Sequence, residues 1–135
     1  MLKLNELKAG DIVKVVDAED SEREGMVVEI SNEQHEALID NGVQEFWYPP
    51  EEIFPVTLDE SQLLKLGFEK HPAEDGQGVK YVKGAFRIFT PTAGDFSNQE
   101  IWYREDRRHF SFPIGVHHLQ NLYLQMTKVP LEIPA

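Results

Sequence analysis

Short runs in which apolar and polar residues alternate dominate the first 56 positions of this 135-residue chain. Period-2 alternation of β-branched and apolar residues is typical of half-buried strands. In one run, Met26–Ile30, the alternation predicts that Met26, Val28 and Ile30 point to the same face. A loop over Ala18–Glu24 precedes that run and ends at Gly25. Four runs predict strands, namely Ile12–Val16, Met26–Ile30, Glu36–Asp40 and Val43–Tyr48.

Turn residues connect and end these strands. Asn41-Gly42 predicts a two-residue type I′ hairpin, because both positions of that turn need a positive φ. Pro49-Pro50 ends the fourth strand, since proline donates no ladder hydrogen bond. Pro50–Ile53 suits a 3₁₀ turn and Phe54–Val56 a closing strand. This order predicts an SH3-like β-barrel over residues 1–56.

The start of the chain carries a resemblance that agrees with this order. Ala9–Val15, followed by Gly25-Met26-Val27, resembles the KOW and Tudor-like branches of the SH3-like superfold. The resemblance covers about two fifths of the chain. It implies a fold and no particular ligand, because one superfold hosts many functions.

Residues 57–135 predict a second domain, an α+β unit in which an antiparallel sheet carries two helices. Thr57–Glu60 is a capping box, and Leu63, Leu64 and Leu66 give the first helix its apolar positions. Gly67 suits the left-handed residue that ends this helix. The remaining elements are a polar loop Glu69–Gly78, a hairpin of Val79–Lys83 and Ala85–Phe89, a loop Pro91–Asn98, a hairpin of Gln99–Arg104 and Arg108–Phe112, a closing helix Val116–Thr127 and a short strand Val129–Ile133.

Charge is distributed unevenly along the chain, whose formal net charge is −11. Residues 1–56 carry 14 acidic and four basic side chains, or −10, and residues 57–135 carry 10 acidic and nine basic, or −1. The first part therefore repels a phosphate backbone, and nucleic acid is not expected to bind through residues 1–56. Its acidity suits a basic protein or peptide partner, or only a solvated face that prevents aggregation.

Several kinds of chemistry find no support in the sequence. Cysteine is absent, which excludes disulfides and thiolate chemistry, and no apolar run approaches the ~18 residues of a membrane span. The N-terminus lacks the apolar core of a signal peptide, so a cytoplasmic location is expected. The five histidines are scattered, apart from His117 and His118, which point about 100° apart on a helix. We expect no metal, no cofactor and no catalytic residue.

Two surfaces remain as candidate binding sites. Phe46, Trp47 and Tyr48 cannot all enter one small core, so at least one is expected near the surface, where it would suit a peptide. Alternatively Trp47 fills the joint between the two domains. The second surface is basic, and a solvated turn is its simpler interpretation. Its expected anion or RNA contacts are Arg87, Trp102, Arg104 and Arg108.

The closing helix carries a further resemblance. His117-His118-Leu119-Gln120-Asn121-Leu122-Tyr123 resembles the closing helix of an uncharacterised family of short bacterial proteins, often associated with prophages, whose signature is His-x-Leu-Gln-Asn-Leu-Tyr. Leu58–Phe68 resembles the first helix of that family. The resemblance implies no activity. The matching residues His117, Gln120 and Asn121 either pin the helix or line a polar site.

Three hypotheses about function follow from these features. The first is a non-enzymatic protein-interaction or adaptor module that uses the aromatic face of the first domain, and the family resemblance implies a prophage or mobile-element origin for it. The second is an RNA- or ribosome-associated regulator that uses the basic hairpin. The third is a small-molecule enzyme with a pocket between the two parts, lined by groups such as His117 and Asn121. The sequence leaves the oligomeric state open.

Overall fold

The structure, a computed structural model, describes residues 2–16, 19–72 and 76–134. It is α+β, and the described residues form two antiparallel five-stranded sheets and two α-helices. The chain divides into two compact units. Unit 1 is Met1–Val56 with Gly115–His118, and unit 2 is Thr57–Ile114 with Leu119–Ala135. One division falls between residues 56 and 57, and Gly115–His118 belongs with the first unit.

Unit 1 contains one antiparallel sheet with the strand order β4-β3-β2-β1-β5. No pairing between described residues joins β4 to β5, so the sheet is open and does not form a closed barrel. A 3₁₀ turn at Pro50–Glu52 precedes the last strand, as predicted. The strands are β1 (Ile12–Val16), β2 (Glu22–Ser31), β3 (Glu36–Asp40), β4 (Glu45–Tyr48) and β5 (Ile53–Pro55).

A β-bulge changes which side chains of β2 face the core. Val27 pairs with Ile39 whereas Glu29 pairs with Leu38, so the register shifts between Val27 and Glu29. An inserted residue reverses the alternation of faces. Val27 is therefore buried, and Met26 is 45% exposed. The predicted common face of Met26, Val28 and Ile30 is not kept, because Met26 and Val28 are exposed whereas Ile30 packs against the core. The predicted loop before this strand is also too long, because β2 already begins at Glu22.

The core of unit 1 combines the inner face of this sheet with the N-terminal segment. A 3₁₀ turn, Leu4–Glu6, carries two flanking leucines into that core, and the Leu2 amide donates a hydrogen bond to the Ile53 carbonyl at 3.1 Å. This turn is not among the elements predicted from the sequence. The buried apolar residues of the core of unit 1 are Leu2, Leu4, Leu7, Val13, Val15, Val27, Ala37, Ile39, Tyr48 and Ile53.

Unit 2 contains the second sheet, with the strand order β10-β9-β8-β7-β6. Its first strand, Glu69–Pro72, lies in a segment, residues 69–78, that the sequence predicts as a polar loop. The last hairpin turns at Arg104-Glu105, so its return strand begins at Asp106 and not at Arg108. The strands are β6 (Glu69–Pro72), β7 (Val79–Lys83), β8 (Phe86–Thr90), β9 (Gln99–Tyr103) and β10 (Asp106–Phe110).

Helix α1 (Glu60–Lys65) begins at a different cap from the predicted one. The Asp59 carboxylate accepts a hydrogen bond from the Gln62 amide at 2.9 Å, so Asp59 and not Thr57 is the N-cap. The predicted helix end is confirmed, because Gly67 has a φ of +94° and the Phe68 amide donates to the Leu63 carbonyl at 3.0 Å.

Helix α2 (Val116–Thr127) has the predicted bounds. Within unit 2 its Leu119, Leu122 and Tyr123 are buried, and the Tyr123 ring lies 4.8 Å from that of Phe86. The segment after the helix holds the buried Leu131 but forms no strand between residues 129 and 133, contrary to the prediction.

Candidate functional site

Unit 1 presents a groove of about 450 Å³ along its edge strand β4. We call it the β4 groove. Its lining joins three consecutive residues of β4 to the preceding loop and to two charged side chains from other parts of the unit. The lining residues are Arg23, Asn41, Val43, Gln44, Phe46, Trp47, Tyr48 and Glu52.

The three aromatic residues of β4 divide into two exposed side chains and one buried side chain. Phe46 is 47% and Trp47 is 44% exposed, whereas Tyr48 is 6% exposed. The Phe46 and Tyr48 rings meet edge to face, with centroids 6.4 Å apart, as residues two apart on one strand do. The Tyr48 hydroxyl also accepts a hydrogen bond from the Asn41 side chain at 3.1 Å. Tyr48 therefore anchors the strand, and Phe46 and Trp47 provide the accessible apolar surface.

The position of β4 determines what the groove faces. β4 is the last strand of its sheet and pairs only with β3 among the described residues. Successive side chains of a strand point to opposite faces. A groove that touches Phe46, Trp47 and Tyr48 in succession therefore runs along the edge of the strand, where unpaired backbone N–H and C=O groups lie.

The loop from Asn41 to Gln44 forms one end of the groove. It links β3 and β4 as predicted, but it has four residues, and only Gly42 has a positive φ, of +92°. The predicted type I′ turn is wrong, because the Asn41 side-chain oxygen accepts hydrogen bonds from the Val43 and Gln44 amides, at 3.0 and 3.1 Å. Such an Asx turn supplies the bend that a second left-handed residue would otherwise provide. The loop leaves Val43 71% exposed at the groove.

Unit 2 carries the second candidate surface, on the outward face of its sheet. Arg87 on β8 and Arg107 on β10 both pair in register with Trp102 on β9. We call these three side chains the Arg–Trp–Arg row. The Arg107 guanidinium carbon lies 3.9 Å from the centroid of the Trp102 ring, which is a cation–π contact.

The predicted basic residues do not all join this row. Arg87 and Trp102 do. Arg108 points to the other face of the sheet and pairs with Asp106 at 3.2 Å, and Arg104 lies in the turn with its guanidinium 5.1 Å from the Tyr103 ring. Arg107, which sequence reasoning did not select, takes the third place in the row. Because Asp106 pairs with Tyr103 and successive side chains alternate between faces, Arg107 and not Arg108 lies beside Trp102.

Of the three residues of the closing-helix signature, His117 belongs to unit 1, and Gln120 and Asn121 belong to unit 2. Gln120 is fully buried, and its side-chain N–H donates to the Leu131 carbonyl at 3.0 Å, which pins the segment after the helix. His117 is buried in unit 1, where its Nε2 lies 3.8 Å from the Glu6 carboxylate. Asn121 is half-buried.

Burial controls the charge of His117. It lowers the pKa of the imidazole below the usual value of 6.5, and the carboxylates of Asp11 and Glu6 offset this only in part. Asp11 is itself fully buried and forms an ion pair with Lys8. This cluster therefore keeps a neutral imidazole beside a paired carboxylate at neutral pH.

The described residues contain no group of three or more His, Asp or Glu side chains that could hold a metal ion. Of the helices that the structure describes, none has the length and apolar character needed to cross a membrane. Comparison of the chain with protein-family models, with curated proteins and with solved structures finds no match. The two surfaces therefore stand on their geometry alone.

Proposed function

We propose that unit 1 has an SH3-like fold with an open sheet, acts as a protein-interaction module and binds an extended, basic segment of a partner protein in the β4 groove. The observation that carries the proposal is the pair of half-exposed aromatic side chains, Phe46 and Trp47, on the open edge of the sheet. The strand order and the 3₁₀ turn before the last strand support the fold assignment.

Shape favours an extended ligand. A peptide that lies along β4 can form main-chain hydrogen bonds with the open edge while its alternate side chains contact the aromatic rings. Phe46 and Trp47 point to opposite faces of the strand, so their side chains can contact such a peptide from both faces. The consecutive lining of the groove thus matches an added strand better than it matches a compact small molecule.

Charge favours a basic ligand. Residues 1–56 carry a formal charge of −10, and exposed acidic side chains of the unit include Glu45 on β4 itself and Glu52 in the lining. Long-range attraction of this kind raises the rate of association with a cationic partner, and salt weakens it.

Selection from a random peptide library tests this proposal. Twelve-residue peptides displayed on phage are selected against the full chain, and the enriched sequences are synthesised and titrated by calorimetry. We expect enrichment of Lys and Arg, interspersed with apolar residues, and weaker binding at higher salt. Phe46→Ala and Trp47→Ala should each weaken binding about 30-fold, because buried aromatic anchors contribute about 2 kcal/mol each to such interfaces.

Met26→Ala is the matched control, because Met26 is exposed to a similar extent, 45%, in the same unit but lies outside the groove. This variant should bind within twofold of the wild type. Enrichment of neutral or acidic peptides, or binding that survives both aromatic substitutions, would contradict the proposal.

A further inference from the structure

The outward face of the second sheet carries cationic and aromatic side chains in register. Arg87, Trp102 and Arg107 are neighbours across three antiparallel strands, with Cβ atoms of adjacent pairs ~4.5–5.5 Å apart. Residues that alternate with them, such as Ile88 and Ile101, are buried on the other face. The Arg–Trp–Arg row is therefore a surface feature supported by a packed sheet.

The two guanidinium groups of this row have no carboxylate partner among the described residues. Arg87 and Arg107 are both exposed, and the contact that Arg107 makes is with the Trp102 ring. Arg108, the next residue along β10, instead hydrogen-bonds Asp106 through Nε and Nη2, at 3.3 and 3.2 Å. The row thus holds two available cations in a chain whose formal net charge is −11.

Trp102 also has an unused polar atom. Its indole N–H is buried and has no hydrogen-bond partner in the structure, while the residue itself is half-buried. An unpaired buried donor is costly. A ligand that draws Arg107 away from the ring would expose the π-face of Trp102.

We infer that the Arg–Trp–Arg row binds single-stranded nucleic acid. A base stacks on the Trp102 ring, or on the Arg107 guanidinium that lies over that ring, and Arg87 and Arg107 bind backbone phosphates. A nucleotide joins a planar base to a phosphate, and the row places an aromatic plane between two guanidinium groups. Stacking of bases on aromatic and Arg planes, together with phosphate contacts, is how proteins hold unpaired strands.

The surroundings set the strength and the salt dependence of this binding. Glu100 lies on the same face in the next row of the sheet, so the local positive field is small. We therefore expect weak binding, measurable at low ionic strength. Two phosphate contacts on a single strand predict a slope of about −1.4 for log K against log salt concentration.

Intrinsic fluorescence gives a direct readout, because the chain contains two tryptophans. Trp47→Phe in unit 1 leaves Trp102 as the sole indole. On titration of this variant with U12 and with dT12, a stacked base should quench its emission. Comparison of the two oligonucleotides shows whether the ribose 2′-hydroxyl contributes.

Single substitutions separate the parts of the row. Arg87→Ala and Arg107→Ala should each reduce the salt slope by about 0.7, since each removes one phosphate contact. Trp102→Ala should weaken binding by roughly 5- to 150-fold, and Trp102→Phe by less, because it retains an aromatic face. Arg108→Ala is the matched control and should bind as the wild type does, because that side chain points to the other face.

Three results would overturn the inference. The first is no quenching by either oligonucleotide at low salt. The second is equal loss of affinity in Arg108→Ala and Arg107→Ala. The third is equal binding of a polyglutamate peptide, which has charge but no base, and this would assign the row to acidic protein segments instead. The β4 groove lies in unit 1, so the presence or absence of peptide binding there does not affect this test of unit 2.

Discussion

Gly25 on β2 lies close to Ile39 and Asp40 of β3, and its replacement by alanine tests the packing of unit 1. A Cβ atom at this position would lie 2.7 Å from the Ile39 side chain and 2.8 Å from the Asp40 carbonyl oxygen. Ile39 is fully buried, and Asp40 is held in the strand pairing opposite Met26. Neither neighbour can move without disturbing the sheet.

The expected cost of Gly25→Ala follows from this geometry. Overpacking in a close-packed interior costs about 1–3 kcal/mol, and we expect the upper part of that range because one of the clashes is with backbone. Domains of this kind have free energies of unfolding of about 5–15 kcal/mol. In urea, with a slope of about 2 kcal/mol/M, the unfolding midpoint should fall by roughly 1–1.5 M.

Urea unfolding of the Trp102→Phe background, followed by tryptophan emission, measures this cost within unit 1, because Trp47 is then the sole tryptophan. Gly42→Ala is the comparison: its Cβ would meet nothing within 4 Å, but its φ of +92° imposes strain of about 1–2 kcal/mol. A Gly25→Ala protein that unfolds within 0.5 kcal/mol of its background, as an order-of-magnitude limit for a neutral substitution, would refute the close approach of β2 and β3.

Three further predictions concern the cluster at His117 and two hydrogen bonds. Because burial lowers the pKa of His117, the unfolded chain binds a proton more readily than the folded chain does, and the free energy of unfolding should fall as the pH drops below about 6.5. His117→Gln should reduce this fall when urea unfolding is measured at several pH values. An unchanged pH dependence in the variant would contradict the assignment. Asp59→Ala should lower the free energy of unfolding by about 0.5–2 kcal/mol because it removes the cap of α1, whereas Thr57→Ala should be nearly neutral in the same assay; the reverse order would favour the capping box. Gln120→Leu should speed amide exchange and proteolysis over residues 129–134, since the Leu131 carbonyl loses its donor, and unchanged protection there would argue against pinning.

The sequence predicts the strands whose alternation is regular. β1 and β3 have the expected bounds, and α2 begins and ends where its apolar stripe does. The inner face of β2 could not be predicted, because a bulge depends on the partner strand and leaves no periodic signal at Val27. β6 was missed for a similar reason: its four residues are polar and exposed, and their pairing with β7 supplies what their composition does not.

The candidate sites were predicted in part for the same physical reasons. A strand of three aromatic residues indicates that one remains exposed, but which ones are exposed depends on the edge position of β4. For the basic surface, β10 begins at Asp106 and not at Arg108, and its register with β9 places Arg107 opposite Trp102. Residue type therefore identified the region, and the register of strand pairing determined which side chains meet.

Chemical-shift mapping with a selected basic peptide tests binding at the β4 groove most directly. In ¹⁵N-labelled full-length chain, the account predicts that the largest amide shifts lie at Asn41–Tyr48, and that the outward-facing amides of β4 become protected from solvent exchange, as hydrogen bonding to an added strand requires. Shifts centred on another surface of unit 1, with the amides of Phe46 and Trp47 unperturbed, would contradict it.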